Sequence, residues 1–201
     1  MIELYAITDD PAPPDPPLRA VKSDGLTALC APAEQRELTA EVLWEHEAVV
    51  ESLMEERDLL PMRFGTLVED DDAAVRALEE KREELRSSLD RVRGAVELAV
   101  RAEASAPTGR APSGTTGAEY IRAKAHRTEA ARLLHEPLAF LARESVVQPG
   151  PEPLRAAYLV DAEAVDGFVA TVRELQRAHP GLSILCTGPW PPYSFAEAPS
   201  P

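Results

Sequence analysis

The chain has 201 residues, 44% of them hydrophobic, and only two cysteines, so it can bury a core in one large domain or two small ones and is neither disordered nor disulfide-framed. Net charge is −14, and it is lopsided: residues 1–105 carry 12 Lys+Arg against 25 Asp+Glu, and residues 106–201 carry 9 against 10. That sign argues against a nucleic-acid partner or an acidic membrane surface, and leaves a basic or apolar protein surface open.

Ile2 to Thr8 is rich in β-formers and reads as a first strand, with no basic or apolar leader ahead of it, so a cytoplasmic protein is expected. Asp9 to Pro17 holds five prolines in nine residues and reads as an extended loop. Leu18–Lys22 and Leu26–Ala31 flank Ser23-Asp24-Gly25, a hairpin signal. From Leu38 to Glu56 the period turns helical: at about 100° per residue, Leu38, Val42, His46, Val49, Val50 and Leu53 share one face. Trp44 lies opposite that stripe among Glu41, Glu51 and Glu55. An outward tryptophan is either covered by a second domain, the preferred reading, or part of an interface.

Leu59 to Val68 is expected to return as a strand whose alternation sets Met62 and Phe64 on one face and Arg63 on the other. Asp70-Asp71-Asp72 opens the next helix, where acids suit the positive helix end, and Val75, Leu78, Leu85 and Leu89 form its buried side. Val92–Ala102 reads as a strand and residues 104–117 as a loop; Thr116–Leu134 reads as a helix that Pro137 either kinks or follows with a short helix to Glu144. Strands at Ser145–Gln148 and Leu154–Asp161, a helix carrying Val165, Phe168, Val169, Val172 and Leu175, and a strand from Leu182 to Thr187 complete the order. The fold class is therefore α+β. A first domain, 1–92, has a mostly antiparallel sheet, and a second, 93–201, spells β-α-β-β-α-β, the ferredoxin-like order.

The tail closes the chain with Gly188-Pro189-Trp190-Pro191-Pro192-Tyr193-Ser194-Phe195. Proline restricts both its own φ and the residue before it, so Trp190 and Tyr193 sit on a frame with little entropy left to lose. Rigid aromatics of this kind serve contact, since large area comes at low ordering cost.

Several blocks together resemble the gas vesicle protein GvpL/GvpF family: His46-Glu47-Ala48-Val49-Val50, Leu60-Pro61-Met62-Arg63-Phe64-Gly65-Thr66, Gly94-Ala95-Val96-Glu97-Leu98-Ala99-Val100, Ala157-Tyr158-Leu159-Val160-Asp161 and the Cys186–Phe195 tail. They run through nearly the whole chain, although the stretch between Tyr120 and Leu154 is shorter and less charged than in many relatives. The resemblance implies a two-domain α+β accessory protein of gas vesicle formation, without catalytic activity or cofactor, that contacts the hydrophobic shell protein GvpA and other accessory proteins. An aggregation-prone β-rich subunit needs its edge or apolar face held until it joins the wall. The proposed contact residues are Trp44, Met62, Arg63, Phe64, Trp190 and Tyr193.

The candidate chemistry is thin beside this. His46-Glu47 is not a His-Glu-x-x-His zinc motif, because position 50 is Val50, and its place on the apolar stripe favours a hydrogen-bonded core histidine. His126 and His135 are half a turn out of phase for a shared metal and read as surface or helix-end residues; His179 suits a helix C-terminus. Cys30 and Cys186 lie in strands as small hydrophobes. Gly109, Gly114 and Gly117 lack the lysine of a phosphate loop, and Asp70–Asp72 lacks the ligand alternation of a calcium loop. Arg63 is as well explained by pairing with an acid of the first helix as by contact. The rival functions are a small ferredoxin-like cofactor-independent enzyme, which needs a closed cavity with convergent polar groups, or a ligand-sensing module.

Overall fold

The computed structural model describes residues 1–33, 37–104 and 131–196. By contacts the chain forms two compact units, Met1–Ala95 together with the segment from Trp190 onward, and Val96–Pro189. The division near residue 95 lies close to the expected 92/93 boundary. The tail, however, leaves the second unit, and the reason is visible in its side chains: Pro191, Pro192 and Phe195 are buried, and Tyr193 packs on the cluster built from Ala6, Leu29, Val50, Leu53 and Leu59.

In the first unit, strands β1 (Ile2–Thr8), β2 (Arg19–Ser23), β3 (Leu26–Pro32), β4 (Leu60–Pro61) and β5 (Leu67–Val68) form one sheet in the order β2-β3-β1-β4, with β5 also on β1. Asp24 (φ 46°) and Gly25 (φ 78°) make the β2–β3 turn, the positive-φ pair that a two-residue hairpin needs. The expected strand over Leu59–Val68 is two short pieces against opposite ends of β1, which pairs Ile7 with Leu60 and Glu3 with Leu67. Between them Arg63–Thr66 turns away, with Gly65 at φ 79° and Thr66 N–H donating to the Arg63 carbonyl at 3.1 Å.

Helix α1 (Ala40–Glu56) starts two residues later than the apolar period indicates, because Thr39 is its N-cap and accepts from Val42 N–H at 3.3 Å. Leu38 therefore lies outside the helix, exposed. The single helix expected after Asp70 is two, α2 (Asp71–Glu80) and α3 (Arg82–Val92), interrupted at Lys81; the buried side still holds Leu78, Leu85 and Leu89. Asp70 caps α2 by accepting from Ala73 N–H at 2.9 Å. Replacing it with alanine is expected to cost about 1 kcal/mol, the usual value of such a cap; urea unfolding unchanged by Asp70→Ala would contradict this.

The second unit holds β6 (Ala95–Ala104), helix α4 (residues 131–139), β7 (Glu144–Val147), β8 (Leu154–Asp161), a 3-10 turn (Ala162–Ala164), α5 (Val165–Ala178) and β9 (Leu182–Trp190), apart from the end residues Ala95 and Trp190, which count with the first unit. Sheet order is β7-β8-β6-β9, compatible with the ferredoxin-like expectation. Strand β6 begins at Ala95 rather than Val92, since α3 runs to Val92 and Gly94 (φ 66°) makes the corner. Helix α4 passes through Pro137 and stops at residue 139, so no helix reaches Glu144; the expected helix over residues 116–130, with His126, and the glycines at 109, 114 and 117 lie outside the described residues. The core packs Tyr158 against Phe168, ring centroids 5.1 Å apart, among Leu98, Val100, Leu134 and Leu138. His135, half-buried toward the end of α4, shares a 2.9 Å hydrogen bond with the Tyr158 hydroxyl.

Candidate functional site

The chemistry-bearing residues of the first unit converge around α1. Strand β1 carries a bulge at Tyr5, where the pairing steps from Leu4–Cys30 to Ala6–Leu29. A bulge re-aims a side chain, so Tyr5 joins Ala6 on the same apolar cluster instead of pointing to the other face. Its ring stacks on His46 with centroids 4.7 Å apart and 19° between planes, and Phe64 meets the same imidazole edge-on at 5.7 Å.

His46 is buried, and its Nε2 lies 2.8 Å from the Met62 carbonyl. A carbonyl only accepts, so Nε2 carries the proton. The other nitrogen, Nδ1, faces the Glu3 carboxylate at 3.4 Å, and that carboxylate also accepts from Gly65 N–H at 3.0 Å. Histidine and glutamate thus hold the 62–66 turn from two sides. This is the core histidine expected from the apolar stripe.

The six proposed contact residues are not brought together. Met62 is fully buried, with its N–H donating to the Tyr5 carbonyl at 2.8 Å, so it offers no surface. Phe64 and Trp190 are half-buried and Arg63 is exposed. Trp44 is 69% exposed. Tyr193 packs inward, with its hydroxyl buried beside the Glu47 carboxylate. Burial first, then the neighbouring Glu47 carboxylate, push its pKa above the ordinary value; burial does the same to Tyr158.

A neutral phenol is therefore favoured by the fold at both positions. Their contribution to stability is complete below the ordinary tyrosine value of 10.0 and disappears as pH rises beyond it. In an alkaline titration followed at 295 nm, these two of the four tyrosines should ionise only as circular dichroism reports unfolding. Reversible ionisation of all four with the fold intact would contradict the burial described.

What sequence reasoning missed is a groove along α1. Ala48, Val49, Ser52, Leu53 and Glu56 form one wall, and Asp15, Pro16, Pro17 and Leu18 of the proline-rich loop form the other. Tyr5 and Ala31 lie at its base, and its volume is about 320 Å³. The loop is braced where Arg57 donates to the Ala12 carbonyl at 3.1 Å, Lys22 donates to the Pro11 carbonyl at 2.7 Å, and Leu18 N–H donates to the Asp15 carbonyl at 3.1 Å. The available signal was the run of five prolines, which stiffens a loop into a wall.

Helix α1 itself is one-signed: Glu41, Glu45, Glu47, Glu51, Glu55 and Glu56 occur in it, with no lysine or arginine. Glu55 and Glu56 occupy the last turn, where the macrodipole favours cations, so local stability does not explain them. Of these, Glu56 is paired with Arg57 at 2.8 Å.

The second unit has a depression of about 220 Å³ on its sheet, lined by Glu97, Arg101, Arg155 and Gln148 among others. Arg101 is held there by Glu103 at 2.9 Å and Glu152 at 3.0 Å. Cys30 and Cys186 are free thiols whose pKa values burial raises, the opposite of an activated nucleophile. Among the described residues no group of three or more His, Cys, Asp or Glu could hold a metal, and no helix is long and apolar enough to cross a membrane.

Taken as a class, this is a mixed α+β protein with antiparallel sheet pairing and two units, the first bearing an acidic helix beside an apolar groove. The fold is that of the gas vesicle protein GvpF from Anabaena sp. PCC7120, whose crystal structure superimposes with a TM-score of 0.86 over 98% of this chain and 96% of that one, at 22% identity. The chain belongs to the GvpL/GvpF family: the family model described as "Gas vesicle synthesis protein GvpL/GvpF" matches residues 4–197. It is 30% identical to gas vesicle protein F of Streptomyces sp. (strain CB03234), covering 92% of this chain and 90% of that protein. It is 32% identical to gas vesicle protein L of the same strain, covering 84% and 73%.

Proposed function

We propose that this protein is a non-enzymatic accessory or minor structural component of gas vesicle assembly that holds the hydrophobic shell-forming protein GvpA, in the cytoplasm at the vesicle shell or during its construction. The observation that carries the reading is α1: a helix with Trp44 69% exposed and Leu43 39% exposed, flanked by the groove and by carboxylates on its solvent side. The carboxylates of the helix keep the free protein in solution, while the large apolar side chains on the same rigid frame offer contact area. Trp44, Arg63, Phe64 and Trp190 remain the proposed contact residues; Met62 and Tyr193 serve the framework beneath them. Family membership supports the pathway, and the raised thiol pKa values of Cys30 and Cys186 support the absence of a thiolate nucleophile.

The test is capture of freshly solubilised, unaggregated shell protein by the immobilised full chain. Retention is expected, and Trp44→Ser should weaken it several-fold, in line with the cost of losing an aromatic anchor. No retention of fresh subunit by the wild-type chain would refute the reading.

A further inference from the structure

Resting on the reading that this protein works by contact, we infer that the groove between α1 and the proline-rich loop receives a cationic amphipathic helix of the partner: an apolar stripe seated on Val49, Leu53 and Tyr5, with lysines or arginines facing the glutamates of α1. The groove suits the other common ways of seating a peptide less well. The β2 ladder on β3 ends at the Arg19–Cys30 pair, so Ala31 is paired only to β1, but the trough runs along side chains of α1 and the loop, which offer no strand to extend. A polyproline ligand needs a floor of several aromatics, and among the described residues Tyr5 is the only aromatic one lining the trough. What remains is side chains of a helix dropping into an apolar trough.

Charge selects which helix. On the α1 wheel at about 100° per residue, Glu41, Glu45 and Glu55 lie on the same side as Ala48 and Ser52, along the outer rim of the trough. Asp15 stands on the opposite wall. The basic residues closest in the chain are already engaged: Arg57 with Glu56, and Arg19 with both carboxylate oxygens of Asp71 at 2.7 and 2.6 Å. The rim therefore presents negative charge to an incoming segment, which repels an acidic helix and steers a basic one. Trp44, one turn before Ala48, extends the apolar strip beyond the trough.

The probe is a fluorescein-labelled 15-residue peptide with leucines at helical spacing and flanking lysines. Its charge-reversed counterpart carries glutamate at every lysine. Anisotropy with the full chain should show the lysine peptide binding at least about tenfold more tightly than the glutamate peptide, and the gap should narrow between 50 and 300 mM salt. Ala48→Trp fills the trough from an exposed helix position and should abolish binding while circular dichroism and thermal unfolding stay unchanged. Should that variant prove misfolded, Glu41→Lys with Glu45→Lys, both on the solvent side, should invert the peptide preference. Equal affinity for the two peptides, or a preference that survives the lysine substitutions, overturns the inference. Shell-protein capture separates it from the functional reading. Capture that persists in a folded Ala48→Trp chain sinks the groove assignment alone. Charge-selective peptide binding without capture of the shell protein supports the groove and sinks the reading.

Discussion

Phe195→Ala is expected to destabilise the first unit by about 3–5 kcal/mol, the range for truncating a buried phenylalanine where the surroundings relax only partly. Phe195 is 3% exposed, near the end of a tail that composition alone places outside any core. Its carbonyl accepts from Arg91 of α3, and its N–H donates to the Pro192 carbonyl at 3.0 Å, closing a turn that hands the ring inward. Both tryptophans of the chain, Trp44 and Trp190, belong to this unit, so their emission reports its unfolding directly. Urea midpoints of Phe195→Ala and Phe195→Leu should differ clearly, with leucine retaining most of the stability. A midpoint unchanged by alanine would mean that the tail does not close this core.

The second large effect is expected at His46. Alanine there removes the proton donor to the Met62 carbonyl, the ring between Tyr5 and Phe64, and the volume they enclose. An orphaned buried acceptor costs about 1–3 kcal/mol and the cavity adds to it, so a total of about 3 kcal/mol is expected. Glutamine can place an amide N–H close to the position of Nε2, and His46→Gln should recover part of the loss. A histidine serving chemistry instead of packing would behave differently, with His46→Ala leaving the urea midpoint in place. Because the 62–66 turn hangs from His46 and Glu3, shell-protein capture through Arg63 and Phe64 should fall with stability in the alanine variant.

Much of this was legible beforehand, for physical reasons that differ by element. The β2–β3 hairpin was readable because Asp24-Gly25 satisfies a positive-φ turn by local chemistry alone. The strand at Leu154–Asp161 and the buried side of α5 followed from runs and periods that tertiary packing only reinforced. His46 was placed correctly in the core because its helical phase coincided with Val50 and Leu53. The failures share another cause: the decisive partner is far away in sequence. Nothing local in Leu59–Val68 shows that a histidine sixteen residues earlier and a glutamate on β1 fold residues 62–66 into a turn. Tyr193 looks like a presented aromatic until α1 and Leu59 supply the cluster it enters. The groove was invisible for the same reason, since its walls, Asp15–Leu18 and Ala48–Glu56, are brought together only by the sheet between them.

The central claim is that this chain acts by stoichiometric adhesion to an apolar subunit and converts nothing. Light scattering of shell protein diluted from denaturant, with increasing amounts of the full chain present, tests it most directly. The account predicts that aggregation falls in proportion to the chain added and stops falling at a fixed molar ratio, with both proteins recovered at unchanged mass. Aggregation untouched at any ratio, or suppressed by trace amounts together with a change in the subunit's mass, would contradict it.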